Sequence, residues 1–262
     1  MMHLTGALAL LLLLAPAAHA GWVVLDESGD QTLISRGRLK LAPQKAAGHS
    51  MVIDVGQARM WIADAGRRVY WEGTVEEYCE AMRGTMAEID KQMAEAMKNM
   101  PPAQREQMQQ MMRQMGRGGG AGPAPTVTIE RTGDTETIAG LPTRKYRVLA
   151  DGKLHQELWL TTDTALLREL ELGRASDTFG RMFGCMAGMG GGERVETSAE
   201  YRGIYAQGWP LKAIHHAEGK GGARSTVARV EQRDIPDREF AAPAGFRAVP
   251  LSEIFGTERP RR

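Results

Sequence analysis

Thioether sulfurs and imidazoles are the side chains of this sequence whose types and spacing could do chemistry. The stretch NMPPAQREQMQQMMRQM, residues 99–115, gathers Met100, Met108, Met111, Met112 and Met115. Methionines three or four positions apart lie on one side of a helix, so Met108, Met111, Met112 and Met115, with Met82 and Met86 upstream, could present soft ligands to Cu(I). Unbranched, polarizable side chains in the same pattern also make an adaptable apolar surface for a ligand, or fill a helical core. No histidine accompanies the run, which fits the two apolar readings better than copper.

The histidines offer a second set. His215 and His216 fall in an expected strand, where neighbours point to opposite faces, so the pair cannot share one metal ion. His155 and Glu157 are expected on one strand face together with Lys153, a pattern that serves either catalysis or an ordinary solvated face. The sequence contains no G-x-S-x-G elbow, H-E-x-x-H helix, Walker loop or repeated C-x-x-C. GRGGGA, residues 116–121, has dinucleotide-loop spacing but follows a helix instead of a strand, and reads as linker. The chain is therefore expected to be non-enzymatic and without a cofactor.

These side chains must be positioned by elements whose periods are visible. Residues 21–73 read as antiparallel strands: Trp22–Leu25 is apolar, LISRGRLKLAP alternates, and Met51, Ile53 and Val55, then Met60 and Ile62, then Val69 and Trp71, share faces between turn residues. Thr74 with Glu77 three positions on forms a capping box. The helix it opens carries Val75, Cys79, Met82, Met86, Ile89, Met93, Met97 and Met100 at helical spacing. Pro101-Pro102 ends it, and a second helix to Met115 would complete a methionine-rich hairpin, residues 74–115, with the Gly/Pro-rich linker 116–125 behind it.

Strands resume in TVTIERTG and KYRVLADGKLHQELWLTT, joined in the second by an Asp151-Gly152 hairpin turn. Asp163 or Thr164 then caps a third helical stretch to Met189, expected to break near Gly173, and residues 200–235 read as three more strands.

Residues 1–20, MMHLTGALALLLLLAPAAHA, have the apolar run and the small-x-small ending of a secretory signal peptide, with a cut expected before Gly21. No later run reaches the ~18 apolar residues of a transmembrane helix, so residues 21–262 are expected as one periplasmic domain. With 33 basic and 32 acidic side chains, net +1, the chain has no whole-molecule field to draw nucleic acid. Its two cysteines suit a disulfide in an oxidising compartment. Cys79 lies on the face of Met82 and Met86, and Cys185 lies near Met182 on the third helix; if those faces pack together, the thiols meet. Two separate buried thiols are the alternative.

The stretch IAGLPTRKYRVLADGKLHQELWLTTD resembles a segment of an uncharacterised family of secreted bacterial proteins, a domain of unknown function similar in fold to the LolA and LolB outer-membrane lipoprotein carriers. The ending IPDREFAAPAGFRAVPL, with Phe240, Pro243, Gly245 and Phe246, resembles the C-terminal pattern of the same group, while MPPAQREQMQQMM is similar to the Spy and CpxP periplasmic chaperones. The carrier resemblance implies an α+β fold: a curved antiparallel sheet, a LolA-like half-barrel, with helices including the methionine hairpin across its concave side. It also implies an apolar cavity that binds lipid or lipoprotein acyl chains. The residues expected to line it are Met82, Met86, Ile89, Met93 and Met97 of the first helix and Met182 and Met186 of the third. The competing roles are a Cu(I)-binding stress protein using Met108, Met111, Met112 and Met115, and an envelope protein that binds partners through the exposed hairpin.

Overall fold

Alternating strand segments and short turns build most of this chain, and the computed structural model shows how they join. It describes residues 20–44, 49–98, 100–101, 104–107, 124–186, 195–216, 222 and 224–255. Residues 1–19 of the expected signal peptide, the linker expected at 116–125 apart from its last two residues, and Met108, Met111, Met112 and Met115 lie outside the described residues.

The fold is mixed α+β, organised on one large, curved, unclosed sheet of twelve strands with few helices. Six strands form an antiparallel meander: β1 (Ala20–Asp26), β2 (Gln31–Ser35), β3 (Arg38–Ala42), β4 (His49–Asp54), β5 (Arg59–Asp64) and β6 (Val69–Thr74). A second meander follows helix α1 (Val75–Lys98): β7 (Val127–Ile138), β8 (Leu141–Ala150) and β9 (Lys153–Thr161). Helices α2 (Thr164–Glu169), α3 (Leu172–Met186) and α4 (Ala199–Ile204) lead into β10 (Trp209–His215) and β11 (Arg224–Asp234). Because β11 pairs with both β10 and β1, it splices the two meanders into one sheet.

Local chemistry accounts for the breaks. The Asp151-Gly152 turn has φ of 50° and 76°, the left-handed pair that a two-residue hairpin matched to strand twist requires. The capping box forms as its spacing predicts: the Thr74 amide donates to Glu77 Oε2 (2.7 Å) and the Glu77 amide to Thr74 Oγ1 (3.1 Å). Asp163, not Thr164, caps α2 by accepting from the Leu166 amide (2.8 Å). The helical stretch divides at Glu171, φ 52°, two positions before Gly173, near which the break was expected. The β2–β3 turn explains the position: its Gly37 amide donates to the Glu169 carbonyl (2.8 Å) and its Arg36 amide to Glu169 Oε1 (2.6 Å), taking up acceptors at the end of α2.

Three apolar clusters hold the layers. On one face of the sheet, Trp22, Ile34, Leu39, Ile53, Ile62 and Trp159 pack under α1, α2, α3 and the short helix α5 (Leu251–Ile254). On the opposite face of β1, β2, β4 and β5, Val23, Leu33, Val52 and Trp61 are covered by Ile235 and Phe240 of the C-terminal segment. The Trp61 indole donates to the Phe240 carbonyl there (3.0 Å). The chain then pairs β12 (Arg247–Ala248) in parallel with β6 and tucks α5 under the first face, so one sheet edge is wrapped instead of left open. The third cluster lies at the other end, where Tyr146, Val148, Leu158 and Leu160 meet Tyr201 and Ile204 of α4.

The last of these corrects an expectation. Residues 200–204 were expected as strand, but Ser198 accepts from the Tyr201 amide (3.1 Å) as an N-cap, and Tyr201, Ile204 and Tyr205 recur at helical spacing over the sheet. Among the described residues two strands, not three, follow Val195 before the C-terminal segment.

Candidate functional site

Two regions hold the side chains singled out above. The first is α1 and its covalent tie to α3. Cys79 and Cys185 form a disulfide, with Cα atoms 5.5 Å apart, and Met82 and Met182 belong to the same apolar cluster around it. The convergence of two helix faces that would bring the thiols together is therefore realised. The buried residues of this 24-residue helix are Val75, Tyr78, Cys79 and Thr85, all within its first half. Beyond them, Met86, Ile89, Met93 and Met97 continue the apolar row, half-buried and outside the three described core clusters. Met182 is buried, and Met186 closes α3. Of the second limb of the expected hairpin, a helical turn at 104–107 is described, and Arg105 folds back to donate to the Met97 carbonyl (3.1 Å) and the Met100 carbonyl (3.1 Å).

The second region is the β9–β10 end of the sheet. Val148 pairs with Gln156 and Leu149 with Leu154, so His155 is an extra residue in β9, a β-bulge. The bulge turns His155 away from Glu157 and onto the α4 side, which overturns the expectation that the two share a face. There His155 Nε2 lies 3.1 Å from Glu196 Oε1, and its ring meets that of His215 edge-on at 6.4 Å. His215 is itself held: Gln156 Nε2 is 2.9 Å from its Nε2, and the Tyr201 hydroxyl donates to Gln156 Oε1 (2.9 Å). Gln156 and Tyr201 are buried, and burial raises the Tyr201 hydroxyl well above the ordinary phenol range. Burial likewise raises Tyr205, and the Glu196 carboxylate nearby pushes in the same direction. A ligand atom from each of His155, Glu196 and His215 lies within 4.8 Å of the others. Sequence reasoning missed this group because Glu196 is distant in the chain and the bulge is invisible in the alternation.

His216 points to the other face, as strand alternation requires, and meets Glu157 Oε2 at 3.0 Å. Lys145 reaches Glu157 Oε1 at 2.6 Å, and its bond is the leading cause that lowers the Glu157 carboxyl below its ordinary range. Lys145 and Lys212 both sit over the Trp159 ring, 4.9 and 4.3 Å from its centroid, and Lys212 also pairs with Glu136 (2.8 Å). This face is a set of paired charges on an aromatic floor.

A largely apolar groove of about 470 Å³ lies between β7 and α4, against Val127, Ile129, Tyr146 and Ile204. The methionines of α1 do not line it.

Residues 50–246 match the family described as Domain of unknown function (DUF4412). The chain belongs to that family. No curated protein matches this DUF4412 chain in sequence. Two structures of PNGF-II, in C2 and P21 space groups, are similar at TM-scores of 0.35 and 0.34 with 8% identity; they cover 89% and 90% of this chain, which spans 31% and 32% of theirs. Among the described residues no helix is long and apolar enough to cross a membrane. The disulfide fits a periplasmic or extracellular compartment.

Proposed function

We propose that this DUF4412 protein is a non-enzymatic periplasmic binding protein that holds a hydrophobic ligand, lipid or lipoprotein acyl chains, against the methionine face of α1. In this reading the curved sheet serves as a LolA-like half-barrel, α1 lies across it, and the signal peptide delivers the chain to the periplasm. The observation that carries the reading is the division of α1. Its first half anchors to the sheet through Val75, Tyr78 and Cys79, while Met86, Ile89, Met93 and Met97 continue the same apolar row without joining a described core cluster. A row needed only for packing has no reason to outrun the surface it packs on. Methionine suits a site that accepts varied acyl chains, because three rotatable bonds and a polarizable sulfur conform to ligands of different shape.

Native mass spectrometry of protein taken from a periplasmic extract tests this. The protein is expected to carry a releasable adduct of lipid mass, and the double substitution Met86→Asp/Met93→Asp is expected to remove it while leaving the melting temperature within a few degrees. A folded double variant that keeps the adduct, or a native protein that carries none, overturns the reading.

A further inference from the structure

We infer that His155, Glu196 and His215 bind a divalent transition cation of the Zn(II) class, through residues separate from the methionine face. The proposal does not depend on the acyl-ligand reading. It rests on four features of the β9–β10 end.

The donor set is the first. Two imidazoles and one carboxylate form a borderline nitrogen and oxygen set suited to Zn(II), and three protein ligands leave a fourth position open. Thioethers, the soft donors of α1, are absent from it, so a site here is chemically distinct from any Cu(I) site on the methionines.

Spacing is the second. Zinc–ligand bonds of ~2.0–2.1 Å in tetrahedral arrangement put neighbouring donor atoms roughly 3.3 Å apart. His155 Nε2 and Glu196 Oε1, at 3.1 Å, already have that separation. The remaining separations, all within 4.8 Å, close by small side-chain rotations of these half-buried residues.

Local backbone geometry is the third feature. Without the bulge His155 would join Glu157 on the other face; the unpaired residue in β9 places it beside His215. Bulges recur where a strand must re-aim a functional side chain. Packing the same face with two unrelated polar residues would not need one.

Support from behind is the fourth. Metal-binding histidines are oriented by a partner on the second ring nitrogen. Gln156, 2% exposed, fills that role for His215, and Tyr201 fixes Gln156 in turn. Ligation through His215 Nδ1 puts the ring proton on Nε2, so the Gln156 amide must then present its oxygen to that proton and its NH2 to the Tyr201 hydroxyl, the reverse of the arrangement in which Tyr201 donates to Oε1.

Zn(II) titration of the purified full chain against a chromogenic chelator is the test, with Co(II) as a spectroscopic probe of the same ligands. One Zn(II) per chain should be retained against the chelator, and Co(II) should give visible absorption with nitrogen and oxygen ligation. His155→Ala, His215→Ala and Glu196→Gln should each weaken Zn(II) at least ~10-fold, whereas His216→Ala, on the other face, should leave it unchanged. The three residues are half-buried, so their variants should melt near the unsubstituted protein. Wild-type protein that yields all its Zn(II) to the chelator, or a His155→Ala/His215→Ala variant that binds as tightly as wild type, overturns the site. Acyl-ligand content is expected to be the same in all these variants, so failure here and failure of the acyl reading are separate results.

Discussion

Two regions of this molecule, around α1 and around β9–β10, are held by opposite means. In the first, apolar side chains and one covalent bond do the work: Val75, Tyr78 and Cys79 pack into the main cluster, and the disulfide fastens Cys79 to Cys185 of α3. In the second, order comes from directional polar contacts, a chain running Tyr201, Gln156, His215 with His155 and Glu196 beside it. Apolar packing is non-directional and tolerates a shifted side chain, which suits an adaptable surface. Hydrogen bonds specify where each atom lies, which suits ligation of an ion. One molecule thus combines an apolar row that continues beyond the described core clusters with a cluster fixed by directional contacts.

Removing the tie in the first region should produce the largest change. Cys79→Ser/Cys185→Ser closes no loop across 106 positions and is expected to lose roughly 2–5 kcal/mol of stability. Denaturant unfolding with and without reductant measures it; a loss below ~1 kcal/mol would mean that the apolar face alone anchors α1.

A smaller change is expected from the polar region. Tyr201→Phe leaves the buried Gln156 oxygen without its donor and should cost about 1–3 kcal/mol, with a shift in the ring resonances of His215 that a purely packing role for Tyr201 would not cause. If stability falls and those resonances stay, Tyr201 supports α4 but not the histidine, and the comparison between the regions weakens.

The smallest effect lies on the far side of the same strands and appears only in acid. Lys145 and His216 hold Glu157 below its ordinary value of 4.5. A carboxyl depressed in the folded state contributes stability that is fully present above that ordinary value and is lost as pH falls through the folded one. Glu157→Gln should therefore flatten this part of the acid limb of the stability curve and leave its shape above pH ~5 unchanged. An acid limb of the same slope in the variant would assign the loss to other carboxylates.

Much of the local structure was legible because its causes are local. Thr74 and Glu77 satisfy each other within one helical turn, Asp151-Gly152 supplies the two left-handed residues of a hairpin, and Asp163 caps the helix that follows it. The disulfide was legible through register, since Cys79 and Cys185 each lie on an apolar helical row and such rows are buried together. Reading 200–204 as strand missed a signal that was present, a Ser198 cap followed by Tyr201, Ile204 and Tyr205. The break near Gly173 was legible, but its position at Glu171 had no local signal. It is set by Arg36 and Gly37, more than a hundred positions away, whose amides take acceptors of Glu169.

By itself the sequence determined the periods: alternation for the strands, three-and-four spacing for α1, turn and cap residues between them, because these depend on neighbours within a few positions. Tertiary structure alone decided that β11 splices two meanders into one sheet, that α1 outruns its buried half, and that a bulge carries His155 across to Glu196 and His215. The reason is physical. A one-residue slip in strand pairing leaves composition and spacing unchanged while reversing the face a side chain occupies, and only the paired strand fixes where that slip falls.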